Sequence, residues 1–374
     1  MLIDGRLIGY RHGGIASYAR QLAAHAPGMA GGLDIRLAIR KPVGNLLDRS
    51  VKAFTPPHHR YERYLFGMEV YIRGPNLLHS VDYVHPISPE VASVVTVHDL
   101  AFLANPSLLA RDSLNYYRQV IETLPHADRV IAVSEWTRRQ ILDSLEIDPE
   151  RIRVVPNGFD SSLIGTSDNN DTARLARLHP LLGSVLDSER PILLAVGTIE
   201  PRKRFDILVR AFECHSEIIK DRTGTSPVLV IAGQAGWLSD SVVRALRNLQ
   251  RSGNAIWLRD VNDRELAALY RVAKLLAMPS ADEGFGLPVL EAMASGTASL
   301  VAEVGALPGL VGDCGFIESS AEPGEWAEKI GRILADSEIL GRRSRKGIKR
   351  ASPFTWKETA RQTVDVYREV LDER

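Results

Sequence analysis

The run Ser280-Ala281-Asp282-Glu283-Gly284-Phe285-Gly286-Leu287-Pro288-Val289-Leu290-Glu291-Ala292-Met293-Ala294-Ser295-Gly296 decides how this chain is read. An apolar tetrapeptide, residues 275–278, leads into it with the character of a buried strand. Gly284-Phe285-Gly286 then makes a turn. Pro288 sits where a first helical residue belongs, because its missing N–H would have no partner there anyway. Gly296 reads as the helix stop. Strand, glycine turn and helix N-terminus together present backbone N–H groups and the positive end of a helix dipole to an anion such as a phosphate. Glu283 and Glu291 flank the turn, eight positions apart, and carboxylates there suit sugar or ribose hydroxyls. A glycosidase pair is the other reading of two carboxylates, but the glycine turn and a nearby basic loop favour hydroxyl contacts.

That basic loop is Gly197-Thr198-Ile199-Glu200-Pro201-Arg202-Lys203-Arg204, between an expected strand at 192–196 and an expected helix from 205. Cations at a helix N-terminus oppose its dipole, so three in a row call for an anion. A diphosphate suits one forked guanidinium and one ammonium, Arg202 and Lys203. Weaker signals lie earlier. Gly13-Gly14 follows the first strand and permits close approach to a phosphate, though a plain turn also uses such a pair. His98-Asp99 ends the expected strand at 94–97, where it can orient a sugar hydroxyl or shuttle a proton. His79 has a similar position with less to recommend it.

Apolar runs alternate with amphipathic helical patterns along the whole chain. Further strands are expected at 35–39, 51–54, 130–133, 228–232, 256–258 and 299–302. Helices are expected near 15–25, 61–72, 112–125, 135–145, 205–219, 241–251 and 264–273. Positions 205, 208, 209 and 212 share one apolar face. Short continuous apolar strands between helices indicate parallel sheets covered on both faces, the α/β class. At 374 residues two domains are expected. We read 1–165 as an N-terminal Rossmann-like domain, 166–190 as a linker (with 165–172 polar and turn-rich), 191–352 as a second Rossmann-like domain and 353–374 as a terminal helix. The two sheets are expected to present their carboxyl ends to a shared cleft.

Composition narrows the function. A hydrophobic share of 45% and a charged share of 25% are those of a globular protein. Lys+Arg and Asp+Glu both total 46, so no bulk attraction to nucleic acid is implied. The two cysteines, Cys214 and Cys314, have no metal-type spacing and fit a reducing cytosol. No signal peptide and no spanning segment is read, so a cytoplasmic place is expected. P-loop, H-E-x-x-H and Asp-x-Asp motifs do not occur, so no metal and no cofactor is expected.

Together these motifs resemble the retaining GT-B glycosyltransferases of family four (group 1). Glu283-Gly-Phe-Gly-Leu-Pro-Val-Leu-Glu291 is similar to that family's E-x7-E signature. Gly197-Thr-Ile-Glu-Pro-Arg-Lys203, Val155-Pro-Asn-Gly158, Ile231-Ala-Gly-Gln-Ala-Gly-Trp237 and Gly13-Gly14 fall in the expected order. Phe354-Thr-Trp-Lys-Glu-Thr-Ala360 opens a helix that, in relatives, returns to the N-terminal domain. The resemblance implies that Glu283 contacts the donor sugar, Glu291 the ribose, and Arg202 and Lys203 the diphosphate. It implies that backbone around Gly284, Phe285, Gly286 and Leu287 binds sugar and phosphate, and that Val261 lies near the base. Gly14 and His98 would contribute from the N-terminal domain. Ala298 and Gly309 depart from residues common in relatives, away from the expected chemistry.

The implied reaction is metal-independent hexosyl transfer from a nucleotide diphosphate sugar to an acceptor hydroxyl. Motif forms similar to bacterial polysaccharide mannosyltransferases favour GDP-mannose, with UDP-sugars next. The acceptor is expected to be a glycan or lipid-linked precursor. Cations and aromatics in 49–73 suit peripheral contact with the inner face of the plasma membrane, or an ordinary amphipathic helix. A nucleotide-sugar epimerase of the same architecture and a non-catalytic nucleotide-sugar-binding subunit are the alternatives.

Overall fold

The computed structural model describes all residues except 9–12, 30, 42–47, 83, 87–89, 105–110, 163–169 and 189. The chain divides into two compact units, Met1–Gly158 with Phe354–Arg374, and Phe159–Pro353. Most of the polar run at 165–172 lies outside the described residues.

Among the described residues, the first unit has strands β1 (Leu2–Asp4), β2 (Arg36–Ile39), β3 (Ser50–Lys52), β4 (Leu77–Ser80), β5 (Ala92–Val97), β6 (Arg129–Ala132) and β7 (Ile152–Val154). They form one parallel sheet in the order β3-β2-β1-β4-β5-β6-β7. The second unit has β8 (Ile192–Val196), β9 (Val228–Ala232), β10 (Ala255–Leu258), β11 (Leu275–Met278), β12 (Ala298–Ala302) and β13 (Phe316–Glu318). Their order, β10-β9-β8-β11-β12-β13, is that of dinucleotide-binding sheets, again all parallel. The sequence of β9, Val-Leu-Val-Ile-Ala, is buried on both faces, which is why it reads as a run rather than an alternation.

In each sheet the strand order reverses once, between β1 and β4 and between β8 and β11. At such a reversal the loops leaving neighbouring strands diverge and open a crevice at the carboxyl ends, where ligands of these sheets bind. The loops after β8 and β11 are the two basic and acidic motifs read from the sequence.

Three differences from the sequence reading have local causes. The helix expected at 205–219 is two helices, Phe205–Cys214 and Ser216–Thr223. The break at His215 lets buried Ile219 dock beneath the helix Pro323–Ala335. Gly331 lies close against the helix Ser216–Thr223, since a Cβ there would sit 3.2 Å from the Arg222 Cβ and 3.4 Å from the Ile219 Cα. The segment read as a linker contains helices Asp171–Leu178 and Pro180–Asp187. Asp171 is buried and accepts two hydrogen bonds, at 2.5 and 2.8 Å, from the guanidinium of Arg271, so the segment is latched to the second unit. Strands β7 and β13 are three residues each, too short to register as a periodic pattern.

The last helix, Trp356–Asp372, belongs to the first unit. Thr355 caps it by accepting from the Glu358 N–H. It buries Trp356, Ala360, Val364 and Tyr367. The Tyr367 hydroxyl shares a 2.6 Å hydrogen bond with His79 Nδ1, and His79 Nε2 pairs with Thr96 at 2.8 Å. His79 is thus a core residue, and burial pushes its pKa down to about 3. The start of this helix rests against Gly158, where a Cβ would lie 2.2 Å from the backbone of Thr355 and Trp356. Gly158→Ala therefore forces the closing helix away from the first sheet. Urea unfolding is expected to show a loss of about 1–3 kcal/mol; an unchanged midpoint would show that the contact can relax at no cost.

Candidate active site

The loop after β8 is held by its neighbour after β9. Ile199 N–H donates to Gln234 at 2.8 Å and Gly236 N–H returns a bond to Ile199 at 2.9 Å. A Cβ on Gly233 would lie 2.0 Å from the Gly197 carbonyl oxygen, so glycine is required for this approach. Pro201–Lys203 then forms one tight turn, and Arg204 takes a left-handed conformation (φ 50°) before the helix Phe205–Cys214.

The loop after β11 meets it across the strand-order reversal. Ala281 N–H donates to the Arg202 carbonyl at 2.8 Å, and the Arg202 guanidinium donates to the Asp282 carbonyl at 3.1 Å. From the other side, the Glu283 carbonyl accepts from Ala306 N–H at 2.8 Å. Gly305 makes room, since a Cβ there would lie 2.3 Å from that carbonyl oxygen. Gly286 has φ 99° and caps the helix Leu287–Ala294, with Pro288 in its first turn. Phe285 is buried.

These constraints bring Arg202, Lys203 and Glu283 together. Lys203 Nζ pairs with Glu283 Oε1, Ser280 Oγ donates to the same oxygen at 3.1 Å, and Arg202 stands 3.7 Å from Oε2. Arg202 also pairs with Glu200 at 3.2 Å. Burial alone would raise the Glu283 pKa, but the charges of Lys203 and Arg202 and the hydrogen bonds outweigh it and hold the carboxylate below its ordinary range. The anion that three cations at a helix start call for is therefore supplied by the chain itself. The partners Ser280 and Glu200 carried no signal of their own in the sequence.

Glu291 lies one turn into the helix and faces a different environment. Tyr270, from the helix Asp263–Val272, donates its hydroxyl to Oε2 at 2.8 Å. Burial raises the Glu291 pKa to about 7, against the Tyr270 bond, and the charges of Asp263 and Asp160 add to the rise. Asp263 begins two residues beyond Val261, so the loop after β10 lies within electrostatic reach of Glu291. Val261 lines a cavity of about 300 Å³ with Trp257, Arg259 and His179. Tyr270 is the partner of Glu291 that the sequence reading missed. Its pairing with Glu291 spans two helices and leaves no mark in local spacing.

In the first unit, His98 follows β5 and donates from Nε2 to the Val81 carbonyl at 2.9 Å. Burial lowers its pKa, against that bond and the charges of Asp82 and Asp99, so the imidazole is neutral at neutral pH. Gly14 opens the helix Gly14–His25. Tyr18 of this helix meets the His98 ring edge-on at 5.1 Å, which brings the helix start close to His98. Gly13 has open space where a Cβ would stand.

Residues 12–163 match the family described as Glycosyltransferase Family 4, and residues 183–350 match Glycosyl transferases group 1. A D-inositol 3-phosphate glycosyltransferase of Kineococcus radiotolerans is 31% identical over 76% of this chain and 68% of its own length. The chain belongs to the group 1 glycosyltransferases. Within this group, the Nocardia farcinica protein of the same description is 32% identical over 75% of the chain, and the match spans 62% of its length. The O-antigen chain mannosyltransferase B of Escherichia coli is 27% identical over 74% of the chain and 70% of its own. Among solved structures, the sucrose-phosphate synthase of Thermosynechococcus elongatus superposes with a TM-score of 0.76 at 22% identity, covering 100% of this chain and 99% of its own. The Anabaena protein HepE, solved with UDP-glucose, gives 0.74 at 19% identity over 100% and 99%. These likenesses establish a GT-B glycosyltransferase fold with two Rossmann-like domains.

The two glutamates of this group 1 chain make opposite demands on pH. A carboxyl whose folded pKa is raised binds more protons in the folded state, so its contribution is full below pH 4.5 and is lost as pH rises toward about 7. Relative to Glu291→Gln, the native protein is expected to lose on the order of 2 kcal/mol between these pH values. Denaturant unfolding of both proteins across that window measures it; parallel stability curves would contradict the raised pKa.

Proposed function

We propose that the chain is a hexosyltransferase, moving a sugar from a nucleotide diphosphate donor to an acceptor hydroxyl with retention at the anomeric carbon. The observation that carries this reading is the Arg202–Lys203–Glu283 cluster at the carboxyl ends of β8 and β11, where the sheet order reverses. Glu283 holds both cations in place before any ligand arrives, so their charge is already oriented toward a leaving diphosphate. Its Oε1 is engaged by Lys203 and Ser280, and Oε2 keeps capacity to accept from a sugar hydroxyl. In this reading Glu291, presented with Tyr270, takes the ribose, and the cavity beside Val261 takes the base. Backbone from Gly284 to Leu287 lies along the sugar and phosphate. Gly14 and His98 serve from the first unit. As the acceptor oxygen bonds to the anomeric carbon, the bond to the diphosphate oxygen breaks and the acceptor proton passes to that leaving oxygen.

The donor reading is GDP-mannose, with UDP-sugars next. The Escherichia coli relative is named as a mannosyltransferase and HepE was solved with UDP-glucose, which supports a nucleotide sugar without choosing the base. The acceptor reading is a glycan or lipid-linked precursor, met on the cytoplasmic side of a membrane.

Support for membrane contact comes from the helix Glu62–Arg73. Its inner face buries Phe66 and Val70, while Tyr64, Leu65, Met68, Tyr71 and Ile72 recur at helical spacing on the outer face. Met68 is 59% and Ile72 75% exposed. Arg60 and Arg63 lie over the rings of Tyr61 and Tyr64 at 4.8 and 4.7 Å, placing cations beside the apolar stripe. An apolar stripe edged by cations and aromatics fits an anionic bilayer surface. No helix among the described residues is long and apolar enough to cross a membrane.

Separate experiments test the transferase reading and the membrane reading. A screen of nucleotide sugars by thermal shift and turnover is expected to single out GDP-mannose. Product NMR is expected to show the donor's anomeric configuration, and Lys203→Ala to lower kcat/KM by at least about a hundredfold. Turnover unaffected by Lys203→Ala, or an inverted product, would defeat the mechanism. For the surface, Met68→Glu with Ile72→Glu is expected to abolish co-sedimentation with phosphatidylglycerol vesicles, while nucleotide-sugar binding persists. Native protein that stays in the supernatant at low salt would end the membrane reading.

A further inference from the structure

The first unit carries buried polar groups that its fold leaves unexplained. Asp82 stands two residues beyond β4, beside the order reversal of the first sheet. Its side chain is only 6% exposed. Oδ2 pairs with His58 Nε2 at 2.7 Å and accepts from the Tyr116 hydroxyl at 3.2 Å. Oδ1 has no hydrogen-bond partner among the described residues. An unmet buried acceptor costs about 1–3 kcal/mol, more when charged, and such an atom in a folded protein calls for an explanation.

The surroundings indicate what meets it. His58 holds a left-handed backbone (φ 60°), which costs a residue with a side chain on the order of 1–3 kcal/mol. Its ring is 35% exposed and packs edge-on against Tyr116 at 4.8 Å, forming the outer wall of the group. The charge of Asp82 acts on Glu62, and Glu62 with Asp4 holds Arg6, which is buried over the Phe66 ring. That guanidinium is already shared between two carboxylates, so a phosphate at Asp82 would meet surplus negative charge. No group of described His, Cys, Asp or Glu residues could hold a metal ion. A neutral O–H donor meets this oxygen without adding charge. The place fits as well, because Val81, adjacent to Asp82, is the residue whose carbonyl receives His98 Nε2.

We infer that Asp82 Oδ1 anchors a hydroxyl of a neutral polyhydroxylated acceptor, a sugar ring or cyclic polyol, with His58 and Tyr116 fixing the carboxylate. The inference rests on the glycosyl-transfer reading, in which His98 serves from the same unit. It identifies a binding residue on the acceptor side that no sequence motif marked.

Saturation-transfer NMR tests it, using myo-inositol, methyl α-mannoside and methyl α-glucoside against the native chain, Asp82→Asn and Tyr116→Phe, each with GDP or UDP present. At least one polyol is expected to bind the native protein, to weaken roughly tenfold or more with Asp82→Asn and about two- to fivefold with Tyr116→Phe. Thermal shifts by nucleotide sugars are expected to stay as in the native chain. If Asp82→Asn fails to fold, Tyr116→Phe carries the comparison. Native protein that binds none of the three polyols, or variants that bind them as tightly as the native chain, would overturn the inference. Polyol binding through Asp82 without any response to nucleotide sugars would instead defeat the transferase reading and leave this site standing.

Discussion

Two loops leave neighbouring strands β8 and β11 and diverge, and Glu283 is the group that ties them together. Its backbone is held by Ala306 and the space at Gly305, its side chain by Lys203, Ser280 and the nearby Arg202. Two cations packed at a helix start would repel each other and the helix dipole, and the buried carboxylate cancels both effects. The pairing also removes side-chain freedom from Lys203 and Arg202 in advance of any ligand. A site that binds a diphosphate with flexible surface cations would have to order them at each binding event.

The helix that follows the Glu283 loop, Leu287–Ala294, carries a second glutamate with the opposite electrostatics. Glu283 sits among cations and is held ionised, whereas Glu291 sits against Tyr270 with Asp160 and Asp263 nearby, and its pKa is about 7. Two identical side chains eight positions apart therefore present an anion in one place and a group near its titration point in the other. The difference comes from which elements pack on each one: the basic loop after β8 for Glu283, the helix after β10 for Glu291. The first unit shows a related contrast. His79 is enclosed by Thr96 and Tyr367 and works as core, while Asp82, near His98, has one buried oxygen unmet among the described residues.

Much of the architecture was legible because parallel strands buried on both faces are written as apolar runs, and the crossover helices as apolar stripes. The strand, glycine turn and proline-opened helix around Glu283 were readable for the same local reason: each step depends on residues within one turn of it. The split at His215 and the helices within 166–190 were not readable. Both depend on partners far along the chain, Ile219 against the helix Pro323–Ala335 and Asp171 on Arg271. Tyr270 and Asp82 escaped for the same reason, since neither belongs to a spaced motif.

By itself the sequence determined the two parallel-sheet units, the loops that carry charge and glycine, and the family to which they belong. These follow from periodicity and backbone stereochemistry, which act over a few residues. Only the tertiary structure decided that Glu283 is the counter-ion of Arg202 and Lys203, that Glu291 is paired with Tyr270, and that Asp82 has a buried oxygen with no hydrogen-bond partner among the described residues. Those outcomes depend on desolvation and on distances between side chains that are remote in the chain. A linear pattern names the residues that can ionise; the packed interior sets which of them do.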